Sequence, residues 1–207
     1  MAKQSKVKRV KSHAALPYAE VSSFMAEVRK REGVAARAFE FAILTAARTN
    51  EALGATWSEI DLDAAVWTIP ADRMKARRDH RVPLSDAAVA LLRSMPRDQG
   101  SDFVFISPMA KGKPLSNMAL LATLKRMDRT DLTAHGFRST FRDWAAETTA
   151  YPDAVVEMAL AHAISNAVEA AYRRGDLFEK RKRLMADWAG YCESGSQRTA
   201  EVVPIRA

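Results

Sequence analysis

AVWTIPADRMKARRDHRVPLS, residues 65–85, is the stretch where this chain stops reading as helix. Its two ends, AVWTIP (65–70) and HRVPLS (80–85), are short and rich in β-branched and aromatic residues, which predicts two strands. Between them DRMKARRD (72–79) is a charged connector, too long for a tight turn. The reading is a hairpin with a long basic loop. On both sides of it the apolar residues recur at helical spacing. Upstream, Val21, Phe24, Met25 and Val28 fall at i, i+3, i+4 and i+7, and Gly33 closes that stretch. Residues 34–46 are apolar nearly all round, which predicts a buried helix. A short helix follows, carrying Arg48, Asn50, Glu51 and Leu53. Downstream, helices are expected over 86–95, 117–128 (with Ser116 as N-cap), 135–149, 153–161, 166–173 and 177–192. FVFIS (103–107) is a short apolar run with strand character. The fold class is therefore mainly α with a small β-sheet.

Residues 1–16 hold Lys3, Lys6, Lys8, Arg9 and Lys11 with almost no apolar anchor, and read as a basic linker or arm. Residues 17–193 read as one domain and 194–207 as a tail, in which VVPI (202–205) is an apolar tetrad able to add to a partner's surface. Of the 207 residues, 32 are Lys or Arg and 25 are Asp or Glu, a net charge of +7. That excess favours a polyanionic partner such as nucleic acid, or describes a merely basic enzyme. Cys192 is the only cysteine, so an internal disulfide is excluded. No run of 18 apolar residues predicts a membrane span, and the basic N-terminus has no apolar stretch of a secretory signal behind it. A cytoplasmic protein without membrane partners is expected.

LTAHGFRSTFRDWAAE (132–147) and LAHAISNAVEAAYRRG (160–175) carry the chemistry. A phosphodiester under attack gains charge on its non-bridging oxygens, and arginine forks match that charge. A tyrosine nucleophile needs neighbouring cations or a base, and the leaving oxygen needs a proton donor. His135, Arg138 and Arg142 share one helical face beside the Phe137, Phe141 and Trp144 stripe. Arg48 stands at the edge of the buried helix, with Glu51 at i+3 to orient it. Lys75 lies in the basic loop among Arg73, Arg77, Arg78 and Arg81. Each has a plainer reading: Arg48 as a surface arginine, Lys75 as one member of a phosphate-gripping loop, Tyr172 as packing in an alanine-rich helix. The histidines at 13, 80, 135 and 162 lack metalloprotease spacing, and no paired acidic cluster is built for Mg²⁺. Neither a metal nor another cofactor is expected.

As an ordered set these residues are far more specific. Arg48 in ARTNEAL, Lys75 between strands, HGFR at 135–138, AH at 161–162 and AAYRRG ending at Gly175 resemble the tyrosine recombinases, and among them the prophage and genomic-island integrases of the satellite-phage type. The resemblance spans about residues 15–192. It implies a mostly helical catalytic domain with a three-stranded antiparallel sheet. It also implies roles: Arg48 and Arg138 clamp the scissile phosphate, Lys75 is general acid to the leaving 5′-OH, His135 assists proton transfer, His162 bonds a non-bridging oxygen, and Tyr172 forms the 3′-phosphotyrosine. Arg73, Arg77, Arg78, Arg81 and Arg142 are expected on DNA phosphates. Double-stranded DNA attachment sites would be the substrate, with a free monomer, a tetramer on DNA, excision or integration accessory proteins, and a place on the bacterial nucleoid. The family's N-terminal arm-binding and core-binding domains have no counterpart in this sequence, so a catalytic portion is expected. Two alternatives stand beside this reading: a non-catalytic DNA-binding remnant or regulator of a decayed prophage, and a type IB topoisomerase-like enzyme.

Overall fold

The computed structural model describes residues 14–162 and 175–194. Tyr18–Glu20 forms one 3₁₀ turn, followed by α1 (Val21–Arg29), α2 (Val34–Thr45) and α3 (Thr49–Leu53). A second 3₁₀ turn, Trp57–Glu59, leads into the three-stranded sheet β1 (Ile60–Asp61), β2 (Val66–Ile69) and β3 (His80–Pro83). Then come α4 (Asp86–Ser94), α5 (Ala119–Arg126), α6 (Gly136–Thr148), α7 (Asp153–Ala159) and α8 (Phe178–Ser194). The expected helix 166–173 lies outside the described residues. Among the described residues no helix is long and apolar enough to cross a membrane.

The core is organised around α2, whose faces are nearly all apolar, so neighbours cover it on every side. Phe39 packs edge-on to Phe137 of α6 with ring centres 5.1 Å apart, and edge-on to Phe24 of α1 at 5.8 Å. Phe41 meets Trp67 of β2 at 5.2 Å and Phe105 at 5.4 Å. Trp188 of α8 packs on Trp144 and Phe141 of α6, and its indole N–H donates to the Ile43 carbonyl at 2.8 Å. Buried aromatic pairs of this kind add about 0.5–1.5 kcal/mol beyond the area they bury. The one acid enclosed in α2, Glu40, is neutralised by Arg29 and Arg37 at 2.6 and 2.7 Å.

The sheet is antiparallel in the order β1-β2-β3, with Trp67 opposite Val82 and Ile69 opposite His80. Period-two alternation sends Trp67 and Ile69 into the core and leaves Val66 and Thr68 half-buried. The β1–β2 turn is set by Asp61, whose Oδ1 accepts the Asp63 and Ala64 amides at 3.0 and 2.8 Å. The third strand is thus Ile60–Asp61, and FVFIS is not a strand. Phe103 and Ile106 form only isolated bridges, to Thr56 and Pro114, while Val104 and Phe105 are buried as core. That burial explains the strand-like apolar run. The expected Ser116 cap is also corrected: α5 begins at Ala119 after Met118, with no side-chain cap, and Ser116 contributes its carbonyl to the Ala119 amide instead.

Residues 14–16, grouped with the basic arm on charge alone, belong to the folded body. Leu16 is buried, because an apolar side chain here finds a shelf on the core. Its carbonyl accepts the Thr140 hydroxyl at 2.6 Å, and the Ala14 carbonyl accepts both the amide and the hydroxyl of Thr133 at 3.3 Å. This strap crosses α6 so closely that a Cβ on Gly136 would lie 2.1 Å from the Ala14 oxygen.

Candidate active site

Two helix ends build the site. α2 stops because Ala46 adopts a left-handed φ of 50°, and α7 stops at Leu160–Ala161, where Ala161 does the same at 49°. Each stop leaves backbone carbonyls without helical partners. Cationic side chains fill them. Arg138 reaches from the buried side of α6, donating Nη1 to the Ala46 carbonyl and Nη2 to the Leu160 carbonyl at 2.6 Å. Arg48, between α2 and α3, donates Nη2 to the Ala161 carbonyl at 3.1 Å. Glu51 orients Arg48 twice, accepting its backbone N–H at 2.9 Å and its Nη1 at 2.7 Å. The carbonyl end of a helix carries partial negative charge, so it is a natural seat for guanidinium groups.

His162, directly after this corner, has Nε2 3.2 Å from Arg138 Nη2 and Nδ1 2.6 Å from Glu157 Oε2. Arg48, Arg138 and His162, distant in sequence, are therefore brought together. Burial, and then the charge of Arg48, lowers the Arg138 guanidinium to about 10, which still leaves it charged at neutral pH. Its Nε is buried with no acceptor among the described residues. Two guanidinium groups and an imidazole thus meet at one corner, each held by backbone carbonyls or a carboxylate, a donor set whose charge and geometry match an anion.

The other expected residues are placed less tightly. His135 is exposed immediately before α6, three residues before Arg138 and next to the strap-bound Gly136. Lys75 is exposed on the β2–β3 loop, as are Arg77 and Arg78. That loop is pinned by Met74, which is buried, and by Asp79, whose carboxylate accepts the Ala71 amide at 2.9 Å. Arg73 is turned inward: it ion-pairs with Glu59 and donates to the Glu51 carbonyl at 2.7 Å, so here it anchors the loop. Arg81 forms a two-pronged pair with Asp176 at 2.9 and 3.0 Å and lies over the Phe178 ring. Arg142 pairs with Glu157 at 2.8 Å. Tyr172 lies outside the described residues.

Sequence reading missed three contributors. Glu157 precedes His162 by five residues, and an acid that close to a histidine at a helix end was the available signal. His80 was read only as a strand residue, yet its ring lies against the backbone of Ala159, on the same α7 corner. Gly136 sits inside the HGFR motif, and nothing in the sequence foretold the strap that demands it.

Comparison with known proteins agrees with this architecture. Residues 15–177 match the phage integrase family. The chain is 42% identical over 173 residues to prophage integrase IntA of Escherichia coli (strain K12), covering 81% of this chain and 42% of IntA. The fold matches the integrase from mycobacterium phage Brujita at a TM-score of 0.64 and 17% identity, over 90% of this chain and 61% of that one. It also matches a lambda integrase tetramer bound to a Holliday junction at a TM-score of 0.57 and 16% identity, over 83% and 51%. A mainly helical chain with this small sheet and this cationic corner belongs to the phage integrase family. It spans under half the length of the curated relatives it matches.

Proposed function

We propose that this chain is the catalytic portion of a site-specific DNA recombinase that cuts and rejoins strands for integration or excision of a prophage or genomic island. The observation that carries the reading is the meeting of Arg48, Arg138 and His162 at the end of α7. That corner suits a tetrahedral oxyanion that becomes pentacoordinate. In this reading Arg48 and Arg138 hold the non-bridging oxygens of the scissile phosphate, and His162 adds a further bond. The Tyr172 oxygen attacks phosphorus, the P–O5′ bond breaks, and Lys75 on its exposed loop gives the leaving oxygen a proton. His135 assists the proton transfer at the nucleophile. A 5′-OH from another strand then reverses the step, so bond energy is conserved in the phosphotyrosine. Loss of one such charge-stabilising donor costs on the order of 10²–10³ in rate.

Double-stranded DNA is the substrate in this reading, gripped chiefly through phosphates. Beside Lys75, Arg77 and Arg78 are exposed cations of the loop. The lambda integrase tetramer bound to a Holliday junction supports four copies acting together on DNA. The reading adds a free monomer, accessory proteins that steer direction, and a bacterial cytoplasmic setting. The test is a nicked duplex attachment site that loses its 5′-OH fragment on cleavage. The reading expects a covalent protein–DNA adduct that persists in EDTA. Binding without any adduct would favour a non-catalytic DNA-binding protein, and relaxation of supercoils without site preference would favour the topoisomerase alternative.

A further inference from the structure

The His162 ring is held from two sides. Arg138 Nη2 stands 3.2 Å from Nε2. A guanidinium only donates hydrogen bonds, so Nε2 accepts and the ring proton resides on Nδ1. In that tautomer Nδ1–H donates to Glu157 Oε2 at 2.6 Å. The second Glu157 oxygen accepts Arg142 Nε at 2.8 Å, which fixes the carboxylate from α6. Burial works to raise the Glu157 carboxyl, but the hydrogen bond from His162 and the charge of Arg142 outweigh it and hold the group below the ordinary range. Among the described residues, the charged and titratable groups around this corner include Glu157 from α7, Arg138 and Arg142 from α6, and Arg48, just before α3, with its partner Glu51. His80 of β3 touches the Ala159 backbone behind them.

We propose that Glu157 is the positioning residue of His162, locking its proton on Nδ1 so that the ring engages a phosphate only as an imidazolium. To donate to a non-bridging oxygen, Nε2 must carry a hydrogen. Moving the existing proton across would face the Nδ1 lone pair against a carboxylate 2.6 Å away, which is repulsive. The ring instead takes one proton from solvent at Nε2, keeps Nδ1–H on Glu157, and releases the Arg138 N–H to the same phosphate. When the phosphate leaves, the proton returns to solvent. Phosphate engagement is therefore coupled to uptake of one proton, as in carboxylate–histidine pairs generally. The tautomer stands independently of the proposed function; the phosphate step rests on it.

Two measurements test this. Nitrogen NMR of histidine-labelled protein, without DNA, reads the tautomer of neutral His162; the Nδ1–H form is expected, and the Nε2–H form would overturn the proposal. Adduct formation on the nicked duplex is then followed from pH 6 to pH 9 in wild type, Glu157→Gln and Glu157→Asp, with thermal unfolding confirming that each folds. Glu157→Gln is expected to lose about 10- to 100-fold in rate at the alkaline end and much less near pH 6. Glu157→Asp, which keeps the charge, restores most of that loss. A uniform loss at every pH, or no restoration by aspartate, would overturn the positioning role. A wild-type chain with the expected tautomer but no adduct would overturn the recombinase reading, and with it the phosphate step alone.

Discussion

Acidification from pH 7 to 4.5 will destabilise this protein through His80. Burial, and then the charge of Arg181, lowers the His80 imidazole from 6.5 to about 4; Glu51 pulls the other way, and Arg48, more weakly, lowers it again. At neutral pH the ring is uncharged whether the chain is folded or not. As pH falls through 6.5 the unfolded chain takes up a proton that the native ring refuses until about pH 4. Stability present above pH 6.5 is therefore lost on acidification. One unit of separation is worth about 1.4 kcal/mol, and between pH 7 and 4.5 this gap contributes about 2.5 kcal/mol. For a domain of this size that is roughly 5–10 °C in Tm. Urea unfolding of wild type and His80→Gln at both pH values isolates the effect, because titrating carboxylates act equally on each. The variant should lose about 2.5 kcal/mol less than wild type over the interval. Parallel losses in the two proteins would refute a half-buried, neutral His80 behind the cationic corner.

Four other substitutions probe the scaffold and the basic loop. Gly136→Ala forces the strap at Ala14 off α6 and should cost about 1–3 kcal/mol in urea unfolding, since the Cβ would sit 2.1 Å from a backbone oxygen; a neutral result would deny the close approach. Ala161→Gly removes a side chain from a left-handed residue at φ 49° and should stabilise by about 0.5–1 kcal/mol after the added freedom of the unfolded chain is subtracted. Arg73→Ala and Arg77→Ala should separate cleanly. The first leaves the mostly enclosed Glu59 carboxylate without its cation, with only the Trp67 indole and Thr56 amide as donors, and costs about 3 kcal/mol of stability, while the second leaves stability alone and makes the salt dependence of DNA affinity shallower by about one unit of log–log slope. The reverse pattern would mean that Arg73, not Arg77, meets phosphate.

The sequence made some of this legible because local patterns decide it. Helical periodicity placed α1, α2, α4 and α6 to within a few residues, since each buries one continuous apolar face or is buried outright. The β2–β3 hairpin was legible from Trp67, Ile69 and Val82. FVFIS was misread because a buried irregular segment and a strand have the same composition, and only long-range pairing tells them apart. Within the site, Arg48, Arg138 and His162 were found from motif order. Their convergence on the α7 carbonyls depends on two left-handed alanines, Ala46 and Ala161, which no residue preference announces. Glu157, His80 and the strap over Gly136 act through tertiary contacts that charge and periodicity do not encode.

The central claim is that the cationic corner serves a tyrosine nucleophile. Its most direct test is to trap the chain on a nicked duplex attachment site, digest the adduct, and identify the DNA-linked residue by mass spectrometry. The account predicts linkage through a 3′-phosphate to Tyr172, and a Tyr172→Phe protein that binds the same DNA without attaching to it. Linkage at any other residue, or continued attachment by Tyr172→Phe, would contradict it.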